Sequence, residues 1–353
     1  MRSPLKLPLC AALAFASLFL AAAPATAWED HAFLTREALM DVEWLDAVPP
    51  LRVTTRTLSV DGVDDLYQYP SRAETPGETI SARIVLERYA DEPDRGPDRL
   101  PRVSWLEDFL AEYRGLRSQR HRHTHYPVWT THFPLQAMEM GAAPDRAAAW
   151  YAASKTAFDR EDPYWGFRFL AGAMHYVQDC AQPFHVSQSS TAFMFQGLGP
   201  GPVARVMANY HFTYQTWVAR RLLDSSFKLG EALNGFKYDD FGTPEGAAAQ
   251  VAEEARIHCQ PVFDGCVALF DPRHSKALWN RTTVLDAAQL EPEPAAADLA
   301  KATRQALGLT GRATRGMLQM VRPLIRERFL EGLGPDQHPW REPAGDGRNP
   351  RGR

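Results

Sequence analysis

Apolar side chains recur at intervals of three and four along most of this chain, the spacing that gives a helix one buried face. Such runs cover Ala32 to Val42, Thr79 to Tyr89, His132 to Met140, Asp145 to Phe158, Tyr164 to Cys180 and Glu245 to His258, and Ala296 to Glu331 reads as one or two long helices. A further helix begins at Ser104-Trp105-Leu106, and another runs through Trp217 to about Leu229. Pro144, Asp145 and Asp162-Pro163 supply start and stop signals. Strand-like alternation is scarce and no internal repeat is visible. The pattern predicts an all-α fold: a single multi-helix domain whose helices project polar side chains into one central cleft. Between the helices, Asp91 to Asp98 and Phe236 to Pro244 carry turn chemistry, and Ser187 to Pro202 reads as a loop of Ser, Gly and aromatic residues.

The two ends depart from this pattern. Residues 1–27 have the plan of a secretory signal: Arg2 and Lys6, then the apolar stretch Leu9 to Ala23, then Ala25-Thr26-Ala27 as a small-residue cleavage site. The expectation is an exported protein, periplasmic or secreted, that starts at Trp28. The domain then occupies residues 28–331, and 332–353, rich in Gly, Pro and Arg, is expected to be a flexible C-terminal tail.

Composition narrows the picture. The chain has 353 residues, 45% hydrophobic and 11% aromatic, ample for a core and incompatible with a wholly disordered chain. It holds 39 basic and 43 acidic residues, and the first 27 contain two of the bases and no acid, so the mature net charge is −6. That balance gives no global field for gripping nucleic acid. The basic stretch Arg117 to Arg122 is read chiefly as a solvated face, with phosphate contact as the alternative. Of the cysteines left after cleavage, Cys259 and Cys266 are expected to form a local disulfide around Pro261 and Gly265, and Cys180 to act as a buried small hydrophobe.

The chemistry concentrates in Ala173 to Ser187, AMHYVQDCAQPFHVS. His175 and Asp179 are four residues apart in a helical segment, so they leave one face a turn apart, as a helix presents two ligands to one metal. Pro183 ends the helix between Cys180 and Gln182 and brings His185 from another direction. His175-Tyr176, Asp179, Gln182-Pro183 and His185 together resemble the signature of the bacterial zinc-dependent phospholipase C family, whose superfamily also holds single-strand-specific nucleases. Trp28 at the expected mature N-terminus and His31 close behind it are a second point of resemblance.

That resemblance implies a cluster of up to three Zn2+ ions. It implies Trp28 as a ligand through its freed amino group and carbonyl, followed by His31, His175, Asp179, His185 and His211. It also implies an early carboxylate, Asp108 with Glu107 as the alternative, and an imidazole, His125 with His123 and His121 behind it. Asp179 would bridge two metals; His125, His175 and Asp108 would hold one, Trp28 and His31 the next, His185 and His211 the third. Asp108 would also serve as general base, with Phe109 lining the headgroup pocket. In the closing motif, Asn209 to Val218, the acid expected four residues after His211 is replaced by Gln215, a weaker zinc ligand, which leaves the third metal in doubt.

The implied activity is phosphodiester hydrolysis by metal-activated water. The expected substrate is a phospholipid or another phosphodiester, reached through transient contact with a membrane surface by a monomer. Nucleic acid is the alternative substrate, requiring aromatic platforms and a basic groove. A zinc-binding protein that has lost catalysis is the third reading, supported by Gln215.

Overall fold

The computed structural model describes residues 28, 30–55, 74–95, 124–125, 139–186, 200–223, 227–280 and 293–329, and these are mostly helical. In chain order the helices are α1 (His31–Ala38), α2 (Ala82–Tyr89), α3 (Glu92–Arg95), α4 (Ala143–Asp159), α5 (Pro163–Cys180), α6 (Pro183–Val186), α7 (Pro200–Leu223), α8 (Pro244–Arg256), α9 (Cys259–Asn280) and α10 (Glu293–Phe329). Short 3-10 turns lie at Glu43–Ala47 and Gly230–Ala232. Among the described residues the strands are two antiparallel ribbons, β1 (Leu51–Arg52) with β2 (Thr79–Ile80) and β3 (Thr124–His125) with β4 (Glu139–Met140). No described helix is long and apolar enough to cross a membrane.

Helix α5 is the centre of the molecule. Every residue from Tyr164 to Cys180 is buried, and a helix that is apolar on nearly all sides must be enclosed by others. Here α2, α4, α8 and α10 pack around it. The turn from α4 into α5 is tight: Glu161 N donates to Phe158 O at 3.0 Å and Asp162 N to Ala157 O at 2.9 Å, closing the last turn of α4. Glu161 takes the left-handed conformation, φ 58°, that this closure needs. The Asp162 carboxylate then accepts from Trp165 N at 3.4 Å as N-cap of α5, with Pro163 at the first helical position. The close approach of α4 and α5 depends on Gly172, where an added Cβ would lie 2.1 Å from the Trp150 ring.

Several sequence expectations change. Glu139–Met140, expected at the end of a helix from His132, is a strand paired with Thr124–His125, and Gly141 follows at φ 113°, a conformation that breaks helices. Helix α7 starts at Pro200, inside the stretch expected as a loop. Cys259 and Cys266 form no disulfide: both lie on α9, seven residues and therefore about 10 Å of rise apart, beyond the roughly 7 Å limit for bridging. Instead Cys259 Sγ donates to Pro183 O at 3.1 Å, and Cys266 is buried. Cys180 is fully buried, as expected of a small hydrophobe. The signal segment 1–27, the Ser104–Leu110 helix with Asp108, the basic run 117–122 and the tail 332–353 lie outside the described residues.

Candidate metal centre

Two elements far apart in sequence build the centre. Helix α5 carries His175 and Asp179 on one face, and α1 brings in His31, all three fully buried. Asp30 sets the start of α1 by accepting from Phe33 N at 2.8 Å. Asp91 Oδ1, beside α3, accepts from Ala32 N at 3.3 Å. His31 Nε2 lies 3.2 Å from Asp179 Oδ1, and His175 Nε2 lies 3.3 Å from Asp179 Oδ2. Each carboxylate oxygen thus faces a different imidazole, and the two rings are 4.0 Å apart between centroids.

One ligand atom from each of the three residues falls within 4.8 Å of the others, so the group could hold a metal ion. The closest spacings match that use, because two donors each about 2.05 Å from one tetrahedral ion stand roughly 3.3 Å apart. His175 Nδ1 lies 2.8 Å from the Ala90 carbonyl, which can only accept, so Nδ1 carries a hydrogen and Nε2 is the ring atom turned toward Asp179. His31 Nε2, fully buried, has Asp179 Oδ1 at 3.2 Å as its polar neighbour. A buried polar atom so placed suits a ligand position.

The electrostatics favour a positive charge here. Burial pushes the His31 imidazole down, but its pairing with Asp179, reinforced by Asp94 and Asp91, outweighs burial and lifts its pKa to about 9. A proton therefore sits where a metal cation would.

His185 and His211 form a second pair. Gln182 Oε1 accepts from Phe184 N and so caps α6, with Pro183 at the first helical position where no N–H is needed. His185 thereby reaches α7, where its Nε2 is 3.1 Å from His211 Nε2, again near the separation of two ligands on one ion. Gln215, one turn after His211, is buried. Tyr214 anchors this part of α7 by donating to Thr303 Oγ1 of α10 at 3.1 Å.

Trp28 is packed against α5: its indole Nε1 donates to Gln178 O at 3.1 Å, the residue before Asp179. His125 lies in β3, which rests against α6; its side chain is outside the described residues, as is Asp108. One acid went unread in the sequence. Asp94, taken as part of a solvated turn, sits on α3 with Oδ1 3.8 Å from His175 Nε2. The signal for it was weak, since Asp91 to Asp98 has no ligand spacing of its own.

No family model matches the chain, and no curated protein is significantly similar to it.

Proposed function

We propose that the chain is an exported zinc-dependent phosphodiesterase, a phospholipase C that hydrolyses the headgroup phosphodiester of phospholipids. The observation that carries this reading is the convergence of His31, His175 and Asp179 in one buried group. The split of the Asp179 oxygens between two imidazoles supports the bridging role that the family resemblance implies. The His185–His211 pair supports a further ion.

Zinc bound by these residues supplies positive charge for the phosphoryl oxygens and brings the pKa of water toward neutrality. The chain's own residues do the rest. His31 and His175 present Nε2, Asp179 balances charge between them, and the freed amine of Trp28 completes one ligand set after residues 1–27 are removed. A carboxylate takes the proton from the attacking water: Asp108 by resemblance, with Asp94 a further acid close to His175. Transient contact with a lipid surface by a monomer delivers the substrate.

A second reading, a zinc-binding protein without catalysis, draws on Gln215 in place of an acid. Purified mature protein assayed on phosphatidylcholine vesicles and on single-stranded DNA tests both readings. Lipid hydrolysis abolished by His175→Ala supports the proposal. Cleavage of DNA alone moves the chain to the nuclease branch, and a zinc-loaded protein inert on both substrates supports the non-catalytic reading.

A further inference from the structure

Gln178 is fully buried on α5, one residue before Asp179, and its amide reaches both α1 and α10. The hydroxyls around it fix which way that amide points. Thr314 donates its one hydroxyl hydrogen to the Thr310 carbonyl at 2.8 Å, so toward Gln178 it can only accept. The group facing Thr314 Oγ1 at 3.0 Å is therefore the amide NH2, which also donates to Thr35 Oγ1 at 3.0 Å. Oε1 is then left to face His31 Nδ1 at 2.7 Å. An amide oxygen accepts, so Nδ1 carries a hydrogen, and the neutral ring keeps its lone pair on Nε2, the atom turned to Asp179.

The geometry points to Gln178 as the positioning residue of the metal centre: the chain Thr310–Thr314–Gln178 fixes His31 in the tautomer that ligates through Nε2. This rests on the reading that His31 holds a metal ion. The same residue ties down the start of the domain, since its main-chain carbonyl accepts from Trp28 Nε1. One side chain on the central helix thus orients a ligand of α1 through hydroxyls of α10, so packing of the C-terminal helix is felt at the metal.

Two readouts test it, one of them independent of metal. In protein carrying 15N-labelled histidine, held metal-free in alkaline solution, neutral His31 is expected to carry its hydrogen on Nδ1. Gln178→Met, close in volume but unable to accept from an N–H, is expected to move hydrogen to Nε2 and to weaken zinc binding about 10- to 100-fold, the usual cost of losing an outer-shell partner. Thr314→Val, which frees the amide to turn, is expected to shift both readouts the same way as Gln178→Met, and it decides the matter should Gln178→Met fail to fold. Hydrogen on Nε2 in the wild type, or unchanged tautomer and affinity in Gln178→Met, would overturn the inference. Wild-type protein with the Nδ1 hydrogen but no zinc affinity would remove the metal reading and the positioning role with it, a failure distinct from loss of the tautomer.

Discussion

Asp94 Oδ1 lies 3.8 Å from His175 Nε2, on the side of the imidazole that also faces Asp179. The short helix α3 that carries it is held to α5 by Glu92, whose carboxylate accepts from Arg168 Nε at 2.9 Å and pairs with its guanidinium. Arg168 in turn stacks over Tyr89 and Trp165. A buried, well-supported cation therefore holds in place the segment that brings an additional acid to the candidate metal centre.

Asp94→Asn keeps the shape of that acid and removes its charge. Zinc affinity, measured by competition with a chelator, is expected to fall by about tenfold, the lower end of what metal-site neighbours contribute. An unchanged affinity would make Asp94 a bystander.

The proton on His31 makes metal-free protein pH-sensitive. Its folded pKa of about 9 is above the ordinary 6.5. This group's stabilisation is therefore complete below pH 6.5 and lost as pH rises through 9. Chemical denaturation of metal-free protein should show declining stability across that window, and His31→Gln should flatten the decline. Zinc competes with the same proton, so its apparent affinity should rise over the same range.

Gly172→Ala should be costly because its methyl would fall 2.1 Å from Trp150, a ring held between α4 and α5. Overpacking of this kind destabilises by about 1–3 kcal/mol. Urea unfolding should show an earlier midpoint at unchanged slope. Trp150→Phe in the same background is expected to recover part of the loss.

Gln215→Glu supplies the carboxylate missing from the His185–His211 pair. Metal content after dialysis should rise relative to the wild type. Buried Gln215 is one turn from His211 on α7, so the gain should vanish when His211 is also replaced by Ala.

The helical fold was legible wherever one element satisfied its own pattern. Tyr164 to Cys180 is apolar with helical spacing and is capped by Asp162 and Pro163, and His175-x3-Asp179 follows from its pitch. His185 was set apart by the helix stop at Pro183, but His31 and His211 could be proposed only through resemblance, because where they sit depends on how α1, α6 and α7 pack. Asp94 was hidden for the same reason: a turn-like acidic run becomes part of a site only when Glu92 finds Arg168 across the fold. The cysteines show the opposite failure. Pro261 and Gly265 suggested a loop, but Pro261 sits in the first turn of α9, where an N–H has no helical acceptor, and Gly265 makes room for Leu299 of α10.

Metal analysis of dialysed, correctly processed protein tests the central claim most directly. With His31, His175 and Asp179 holding an ion, wild-type protein should retain at least one equivalent of zinc per chain, and Asp179→Ala, which removes the carboxylate facing both imidazoles, should lose it while remaining helical. Wild-type protein free of transition metal, or an Asp179→Ala variant that retains its full complement, would contradict the account.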